Sequence, residues 1–279
     1  MADEPRLETF PIHGGRIETI RIGGGPGRPL LVIGGIETGL RKLAGTEAVL
    51  KRRWAGRSER RSVVVAGRPL PDDPADAERM LHPRVVADTL AGVLAPDEAP
   101  YDIEAESAGG RIALWLAADH PELVWRMALA SVASETPPGS PMADRMRQWI
   151  GLAEEERWGE FFGRMAVQMR PASAADGADS FQVATRLQPR PATPERFIAE
   201  LRATVDPSSF VTDRLREIGA PTLVLAGGRD QIVPSPMSEA VAGAIPGARF
   251  ELDPSCGHTV RADFDGYDRL VESFLAEGD

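Results

Sequence analysis

Short apolar runs alternate with segments of helical periodicity along most of the chain. The runs are typical of strands buried in a sheet and comprise PLLVIGG (29–35), RSVVVAG (61–67), YDIEAE (101–106), LVWRMALASVA (123–133), PTLVLAGG (221–228) and ARFELD (248–253). Helical patterns lie between or after them, at about 43–53, 77–94, 107–120 and 264–276. This alternation predicts an α/β fold with a mostly parallel central sheet and helices on both faces.

The N-terminal segment departs from this alternation. LETFPIH (7–13) and RIETIRI (16–22) flank Gly14-Gly15, a two-residue turn signal, and predict a β-hairpin that adds antiparallel strands to the sheet. The stretch RIGGGPGRP (21–29) is rich in glycine like a phosphate-binding loop, but its prolines fall where a helix would have to start. We interpret it as a flexible connection to the strand at 29–35.

Residues 135–208 interrupt the alternation a second time. They contain helical patterns around Met142–Met169 and Pro194–Val205, separated by a loop rich in Pro, Ala, Asp and Gly. Because the segment is inserted between two sheet strands, we expect a helical cap at 135–208 on a core formed by 1–134 and 209–279. Its large apolar residues fit either ordinary helix packing or the lining of an apolar pocket, and they are Trp149, Trp158, Phe161, Phe162, Met165 and Met169.

Composition and charge narrow the class of protein. The net charge of −10 and the pI near 5.1 argue against a nucleic-acid or anionic-membrane partner, since both require a positive surface. The single cysteine, Cys256, leaves no intrachain disulfide. The N-terminus lacks the apolar region of a signal peptide, and no apolar run approaches the roughly 20 residues that span a bilayer. We expect a soluble, cytoplasmic protein acting on a small molecule, and a homo-oligomer is compatible with this composition.

The junction A-E-S-A-G-G at 105–110 is the most informative chemical feature. Ser107 stands where a predicted strand turns directly into a predicted helix, with the small residues Ala105 and Gly109 two positions away on either side. Such a turn exposes the serine at the carboxyl edge of the sheet, where ligands bind in open α/β folds. The following helix N-terminus favours developing negative charge. Ser107 is therefore a candidate nucleophile, although a serine in this position also serves as an ordinary helix N-cap.

A serine nucleophile needs an adjacent base, usually a histidine that a carboxylate orients. The chain has four histidines. His13 lies in the hairpin, His82 precedes the strand at 101–106, and His120 ends the helix that Ser107 begins. His258 lies in PSCGHTVRADF, after the last predicted strand and before the final helix, which places it at the same sheet edge as Ser107. We predict His258 as the base.

These residues resemble the α/β-hydrolase superfamily over nearly the whole chain. The family elbow G-x-S-x-G reads here A-E-S-A-G, with Ala105 in place of the first glycine, and GGRDQIVP resembles the family loop G-x-x-D-x-x-V-P. The resemblance implies Asp230 as the acid, and the order of nucleophile, acid and histidine agrees with the family. Two other carboxylates also follow strands and stay open as alternatives, namely Asp253 and Glu135. Asp230 also fits a turn-forming role.

The resemblance further implies two backbone N–H donors for an oxyanion. One belongs to Ala108, directly after the nucleophile. The family commonly has His-Gly and then the second donor after the strand at 29–35; this chain has Gly34-Gly35-Ile36, so Ile36 is the expected donor. Gly34 replaces the histidine and removes its hydrogen bonds. Glu37 is also unusual, because a carboxylate pointing inward opposes an oxyanion.

Together these features imply a serine hydrolase that cleaves a small, largely apolar carboxylic ester or lactone through an acyl-enzyme. Related proteins use the same triad for acyl transfer, thioester cleavage or carbon–carbon bond hydrolysis, and these stay open. A different class, a non-hydrolytic relative that binds a small molecule, is compatible with the departures at Ala105, Gly34 and Glu37. No residues have metal-ligand spacing and H-E-x-x-H is absent, so we expect neither metal nor cofactor.

Overall fold

The computed structural model describes residues 4–36, 39, 42–170, 191 and 193–277. These residues form an eight-stranded sheet. Its strands are β1 (Arg6–Ile12), β2 (Gly15–Ile33), β3 (Arg61–Ala66), β4 (Leu70–Pro71), β5 (Tyr101–Glu106), β6 (Val124–Ala130), β7 (Thr222–Gly227) and β8 (Arg249–Asp253). The end of β2 is followed across the sheet by β5, β6, β7 and β8, each parallel to its neighbour. The prediction of a mostly parallel sheet is confirmed.

The first two strands form the predicted antiparallel hairpin, with Ile12 paired to Gly15. β2 then continues without a break through the glycine-rich stretch to Ile33. The prediction of a flexible connection and of a separate strand beginning at 29 is therefore wrong. Glycine is required in this stretch because it packs closely on the end of a helix: Gly23 has a φ of +74°, and a Cβ there would lie 2.1 Å from the carbonyl oxygen of Ser58.

The long β2 lies on both sides of β3. In its first half the pairing runs antiparallel, from Thr19 with Ala66 to Ile22 with Val63. In its second half the pairing runs parallel, from Leu30 with Val63 to Ile33 with Ala66. The register shifts between Thr19 and Leu30 give the strand room to change direction, since irregular pairing bends a strand. This arrangement brings the carboxyl end of β2 beside β5 at the edge where Ser107 follows.

Most of the helices lie where the apolar periodicity predicts them. Their bounds are α1 (Glu47–Ser58), α2 (Ala77–Met80), α3 (Pro83–Val93), α4 (Ala108–Asp119), α5 (Pro141–Glu154), α6 (Trp158–Met169), α7 (Pro194–Val205), α8 (Ser235–Ala244), α9 (Val260–Asp263) and α10 (Tyr267–Leu275). The predicted helix at 77–94 is divided before Pro83, because proline is favoured at the first position of a helix and excluded from its interior. No helix in the described ranges is long and apolar enough to cross a membrane.

Both faces of the sheet are covered, as expected for this fold class. Val64 of β3 points to a core that includes residues of α3, α4 and α8. Its neighbours Val63 and Val65 point to the opposite core, which includes Trp54 of α1 and Phe274 of α10. Alternate side chains of a strand therefore bury on opposite faces, which explains why the strand sequence is continuously apolar.

The segment between β6 and β7, residues 135–208, is here called the helical insertion. Its described residues form α5, α6 and α7 and no strand, in agreement with the two predicted helical patterns. The loop predicted between these two patterns lies almost entirely outside the described residues. The helices share an apolar core in which aromatic rings meet at centroid distances of 5.0–6.3 Å, formed by Trp149, Trp158, Phe161, Phe162 and Phe197. The division into core and cap stays a prediction.

Candidate active site

Ser107 occupies a strained turn between β5 and α4. Its φ of 52° and ψ of −123° are unusual for a residue with a side chain, and such conformations persist only where surrounding contacts impose them. Its backbone N–H donates to the carbonyl oxygen of Ala130 at the end of β6, at 2.9 Å. The Ser107 hydroxyl forms no capping hydrogen bond to α4. The side chain therefore does not act as the N-cap that the sequence left open.

The residues around Ser107 explain the small side chains of the elbow. A Cβ at Gly109 would lie 2.2 Å from the carbonyl oxygen of Ile33 and 2.4 Å from that of Gly34, so α4 approaches the end of β2 more closely than any side chain permits. Ala105 is 2% exposed within the sheet core. The alanine that replaces the first family glycine is thus accommodated, whereas the second glycine is required by space.

We expect Gly109→Ala to lower the free energy of unfolding by about 1–3 kcal/mol, because its methyl group overlaps backbone atoms that cannot move independently. Gly151→Ala is the matched control. Gly151 lies inside α5 with open space around its Cβ position, so alanine there should stabilise by about 0.5–1 kcal/mol. Urea unfolding of both variants measures the difference. Equal stability of Gly109→Ala and wild type would contradict the close approach of α4 to β2.

His258 lies beside Ser107, as the strand order predicts. Its Nε2 is 3.0 Å from the Ser107 Oγ, and its Nδ1 is 2.8 Å from Oδ2 of Asp230. The histidine is 8% exposed, and its backbone N–H donates to the carbonyl oxygen of Met169 at the end of α6. An ionised carboxylate can only accept hydrogen bonds, so Nδ1 carries the proton and Nε2 of the neutral ring is left to accept from the serine.

Asp230 combines the two roles that its sequence suggests. Its Oδ1 accepts hydrogen bonds from the backbone N–H groups of Ile232 and Val233 at 2.8 and 2.9 Å, which forms the turn after β7. Its Oδ2 accepts from His258. Burial alone would raise the pKa of Asp230, but the interactions with His258 and the two N–H groups outweigh it and lower the pKa. The carboxylate is therefore ionised at neutral pH.

The alternative acids and histidines are engaged elsewhere. Asp253 accepts from the backbone and hydroxyl of Ser255, and Glu135 accepts from the Thr212 hydroxyl. The remaining histidines are distributed over the surface: His13 is exposed in the hairpin, Nε2 of His82 lies 3.2 Å from Ser208, and Nε2 of His120 lies 2.9 Å from Asp88. The structure thus brings together Ser107, His258 and Asp230, and their catalytic roles stay a prediction.

The two expected oxyanion donors border the same space. Ile36 and Ala108 line a cavity together with Ser107 and His258. A Cβ built on Gly35 would lie 3.3 Å from the Cβ of Ser107, so the segment after β2 passes directly over the nucleophile. Glu37 lies outside the described residues.

Two buried charged residues near this segment escaped the sequence analysis. Arg68 donates from Nη2 to the carbonyl oxygen of Gly34 at 2.7 Å, and from Nε to Oε1 of Glu200 at 3.1 Å. The Gly34 carbonyl is therefore hydrogen-bonded although no histidine stands there. One signal could have found Arg68: it directly follows the predicted strand at 61–67, at the same edge as Ser107.

The cavity beside Ser107 has a volume of about 480 Å³. Its apolar wall comes largely from the helical insertion and includes four methionines, Met142, Met146, Met165 and Met169, together with Trp149. Trp158, Phe161 and Phe162 instead belong to the core of the insertion. Of the two roles predicted for the large apolar residues, packing alone therefore applies to these three, whereas Trp149, Met165 and Met169 pack on the same core and also line the cavity. Charged side chains also reach the cavity, among them Arg111 and Glu200.

This geometry agrees with sequence similarity to known hydrolases. The 2-hydroxymuconate semialdehyde hydrolase of Pseudomonas putida is 31% identical over 64% of this chain. The match covers 63% of that relative, so the chain spans somewhat less than two thirds of its length. A pimeloyl-(acyl-carrier protein) methyl ester esterase of Neisseria meningitidis serogroup B / serotype 15 (strain H44/76) is 27% identical over 64% of this chain and 69% of its own length.

A solved structure is similar to this chain in fold, and a family model matches its sequence. MGS-M2, an alpha/beta hydrolase enzyme from a Medee basin deep-sea metagenome library, has a TM-score of 0.79 and 17% identity over 98% of both chains. The model of the alpha/beta hydrolase fold family matches residues 94–263, more than half of the chain. The protein therefore belongs to the α/β-hydrolase fold family.

Proposed function

We propose that this protein is a serine hydrolase with Ser107 as nucleophile, His258 as general base and Asp230 as the acid that orients the histidine. The observation that carries the proposal is the pair of hydrogen bonds that joins the three side chains, 3.0 Å from Ser107 Oγ to Nε2 and 2.8 Å from Nδ1 to Asp230. Distances of this size allow proton transfer between the groups.

In this reaction the Ser107 oxygen attacks the carbonyl carbon of an ester, and its proton passes to Nε2 of His258. The negative charge of Asp230 stabilises the imidazolium that forms. The former carbonyl oxygen becomes an oxyanion, for which the backbone N–H groups of Ile36 and Ala108 are the proposed donors. Collapse of the tetrahedral intermediate expels the alcohol, which takes the proton from His258. Water then cleaves the acyl-enzyme by the same sequence and releases the acid.

The cavity supports an apolar acyl group of modest size. A volume of about 480 Å³ lies within the usual range of about 300–1,000 Å³ for small-molecule sites. Methionine side chains are flexible and adapt to ligands of different shape, so the four that line the wall favour a range of acyl groups. We therefore propose small carboxylic esters or lactones as the substrate class.

A series of p-nitrophenyl esters from acetate to palmitate tests this class. Each buried CH₂ contributes about 0.8 kcal/mol, so we expect kcat/KM to rise by about 200-fold over the four CH₂ groups from acetate to hexanoate and to fall once the chain exceeds the cavity. Met146→Trp should shift the optimum to shorter esters because it fills the cavity wall. Val49→Trp is the control, since Val49 is 56% exposed. A flat profile from acetate to octanoate would show that the acyl chain does not enter this cavity.

A second candidate uses the same three residues for carbon–carbon bond hydrolysis. The similarity to a 2-hydroxymuconate semialdehyde hydrolase favours 2-hydroxymuconate semialdehyde as a test substrate beside the esters. Faster turnover of the semialdehyde than of the best ester would favour this candidate. Competition between water and added alcohol or thiol acceptors separates hydrolysis from acyl transfer, and absence of turnover with every ester, thioester and ketone substrate would favour a non-hydrolytic binding protein.

A further inference from the structure

Arg68 connects parts of the molecule that border the cavity. It follows β3 after one intervening glycine and is 2% exposed. Its Nη2 donates to the carbonyl oxygen of Gly34 at 2.7 Å, and its backbone N–H donates to the carbonyl oxygen of Gly39 at 3.0 Å. One residue therefore bonds the segment after β2 on both sides of Ile36, the proposed oxyanion donor.

The fit between Arg68 and this segment is close. A Cβ at Gly39 would lie 2.7 Å from Cζ of Arg68, so a larger residue there would displace the guanidinium. The backbone N–H of Gly39 donates to the carbonyl oxygen of Gly35 at 2.7 Å, and Gly35 lies against Ser107. Direct contacts thus run from Arg68 to the nucleophile.

Helix α7 of the insertion supplies the groups that hold Arg68. Oε1 of Glu200 accepts from Nε of Arg68 at 3.1 Å. Nη2 of Arg196 donates to the backbone carbonyl oxygen of Arg68 at 3.3 Å. Glu200 is 4% exposed, and a buried guanidinium requires such a counter-charge. Burial raises the pKa of Glu200, whereas Arg68 opposes this rise by favouring the carboxylate.

We infer that Arg68 is a positioning residue, which holds the backbone around Ile36 in place for the oxyanion with Glu200 as its counter-charge. The inference rests on the proposed function, because acyl transfer is what creates an oxyanion beside Ser107. Oxyanion donors are effective because they are already placed where negative charge develops. A hydrogen bond from a charged donor is about twice as strong as a neutral one. Arg68 therefore restrains the carbonyl group of Gly34 at the position where the family histidine and its hydrogen bonds are absent.

The test replaces the ion pair by apolar residues of similar length, Arg68→Met with Glu200→Met. Removing Arg68 alone strands a buried carboxylate, whereas replacing both partners of a buried pair is often neutral for stability. Loss of one oxyanion donor costs about 100- to 1,000-fold in kcat, so a donor that is present but poorly held should cost about 10- to 100-fold. We expect KM to change less than kcat, because the oxyanion forms after substrate binding.

The control is the double variant Arg61→Met with Asp102→Met. This buried pair joins β3 and β5 near their amino ends, at the opposite edge of the sheet from Ser107, and its loss should leave kcat within twofold. Two further measurements report on the position of the backbone around Ile36. The affinity for an alkyl boronic acid, whose serine adduct is anionic, should fall with kcat/KM in the Arg68/Glu200 double variant. Amide exchange of Gly34, Gly35 and Ile36 should accelerate in that double variant and not in the control.

Three results would overturn the inference. The first is a folded Arg68/Glu200 double variant that keeps kcat within twofold of wild type. The second is unchanged amide exchange of Gly34, Gly35 and Ile36 in that double variant. The third is an unchanged affinity of that double variant for the alkyl boronic acid. A wild-type protein without ester turnover or fluorophosphonate labelling refutes the proposed function instead, and amide exchange then still decides whether Arg68 restrains the segment.

Discussion

Replacing Ser107 with alanine is expected to lower kcat for the best p-nitrophenyl ester by about 10⁴- to 10⁶-fold and to abolish covalent labelling by a fluorophosphonate. The hydroxyl whose oxygen lies 3.0 Å from His258 Nε2 is lost, so no acyl-enzyme can form. The cavity and the oxyanion donors are left intact, and they account for the residual rate. Initial rates and intact-protein mass after labelling measure the two effects.

Ser238→Ala is the matched control for this variant. Ser238 is fully buried on α8, and its hydroxyl donates to the carbonyl oxygen of Val132 at 2.8 Å. Losing that bond costs about 1 kcal/mol of stability and should leave labelling and kcat at the wild-type level. Turnover of Ser107→Ala near the wild-type rate, or its covalent labelling, would assign the chemistry to another residue and remove the proposed nucleophile.

Much of the sheet could be predicted because its signals are local. The strand at 101–106 has the same bounds in the sequence pattern and in the structure, since Gly/Pro and polar residues delimit it on both sides. The extended course of β2 through its glycines could not be predicted, because it depends on packing against the end of α1 around Ser58. Helix α8 also escaped, since its buried face offers only Ser238, Val241 and Ala242 and its small residues show weak apolar periodicity.

The residues of the candidate site also differ in whether the sequence alone could reveal them. Ser107, Asp230 and His258 could be identified because each lies in the turn or loop that follows a strand of the parallel part of the sheet, and parallel strands bring their carboxyl ends to one edge. Arg68 and Glu200 lie 132 residues apart, and nothing near either residue indicates the other. Their pairing arises only when the helical insertion folds back over the sheet. A local pattern therefore predicts the reacting groups, and long-range packing decides what supports them.

Asp230→Asn should lower kcat by about 10⁴-fold while leaving the fold intact. The amide oxygen can still accept from the backbone N–H groups of Ile232 and Val233, so the turn after β7 is preserved. The amide nitrogen then faces Nδ1 of His258 and donates to it, which moves the ring proton to Nε2. In that tautomer Nε2 cannot accept the proton of Ser107. Steady-state kinetics together with urea unfolding separate this loss from destabilisation.

The same substitution at Asp253 tests whether position or charge matters. Asp253 is the last residue of β8 and loses one negative charge on mutation to asparagine, but its carboxylate accepts from the backbone and hydroxyl of Ser255 rather than facing the histidine. We expect Asp253→Asn to keep kcat within about twofold. If the two variants lose activity equally, a general electrostatic effect at this sheet edge explains the result and the orienting role of Asp230 is wrong. If only Asp230→Asn is impaired, the proton on Nδ1 is what the reaction requires, because both variants carry the same change in net charge.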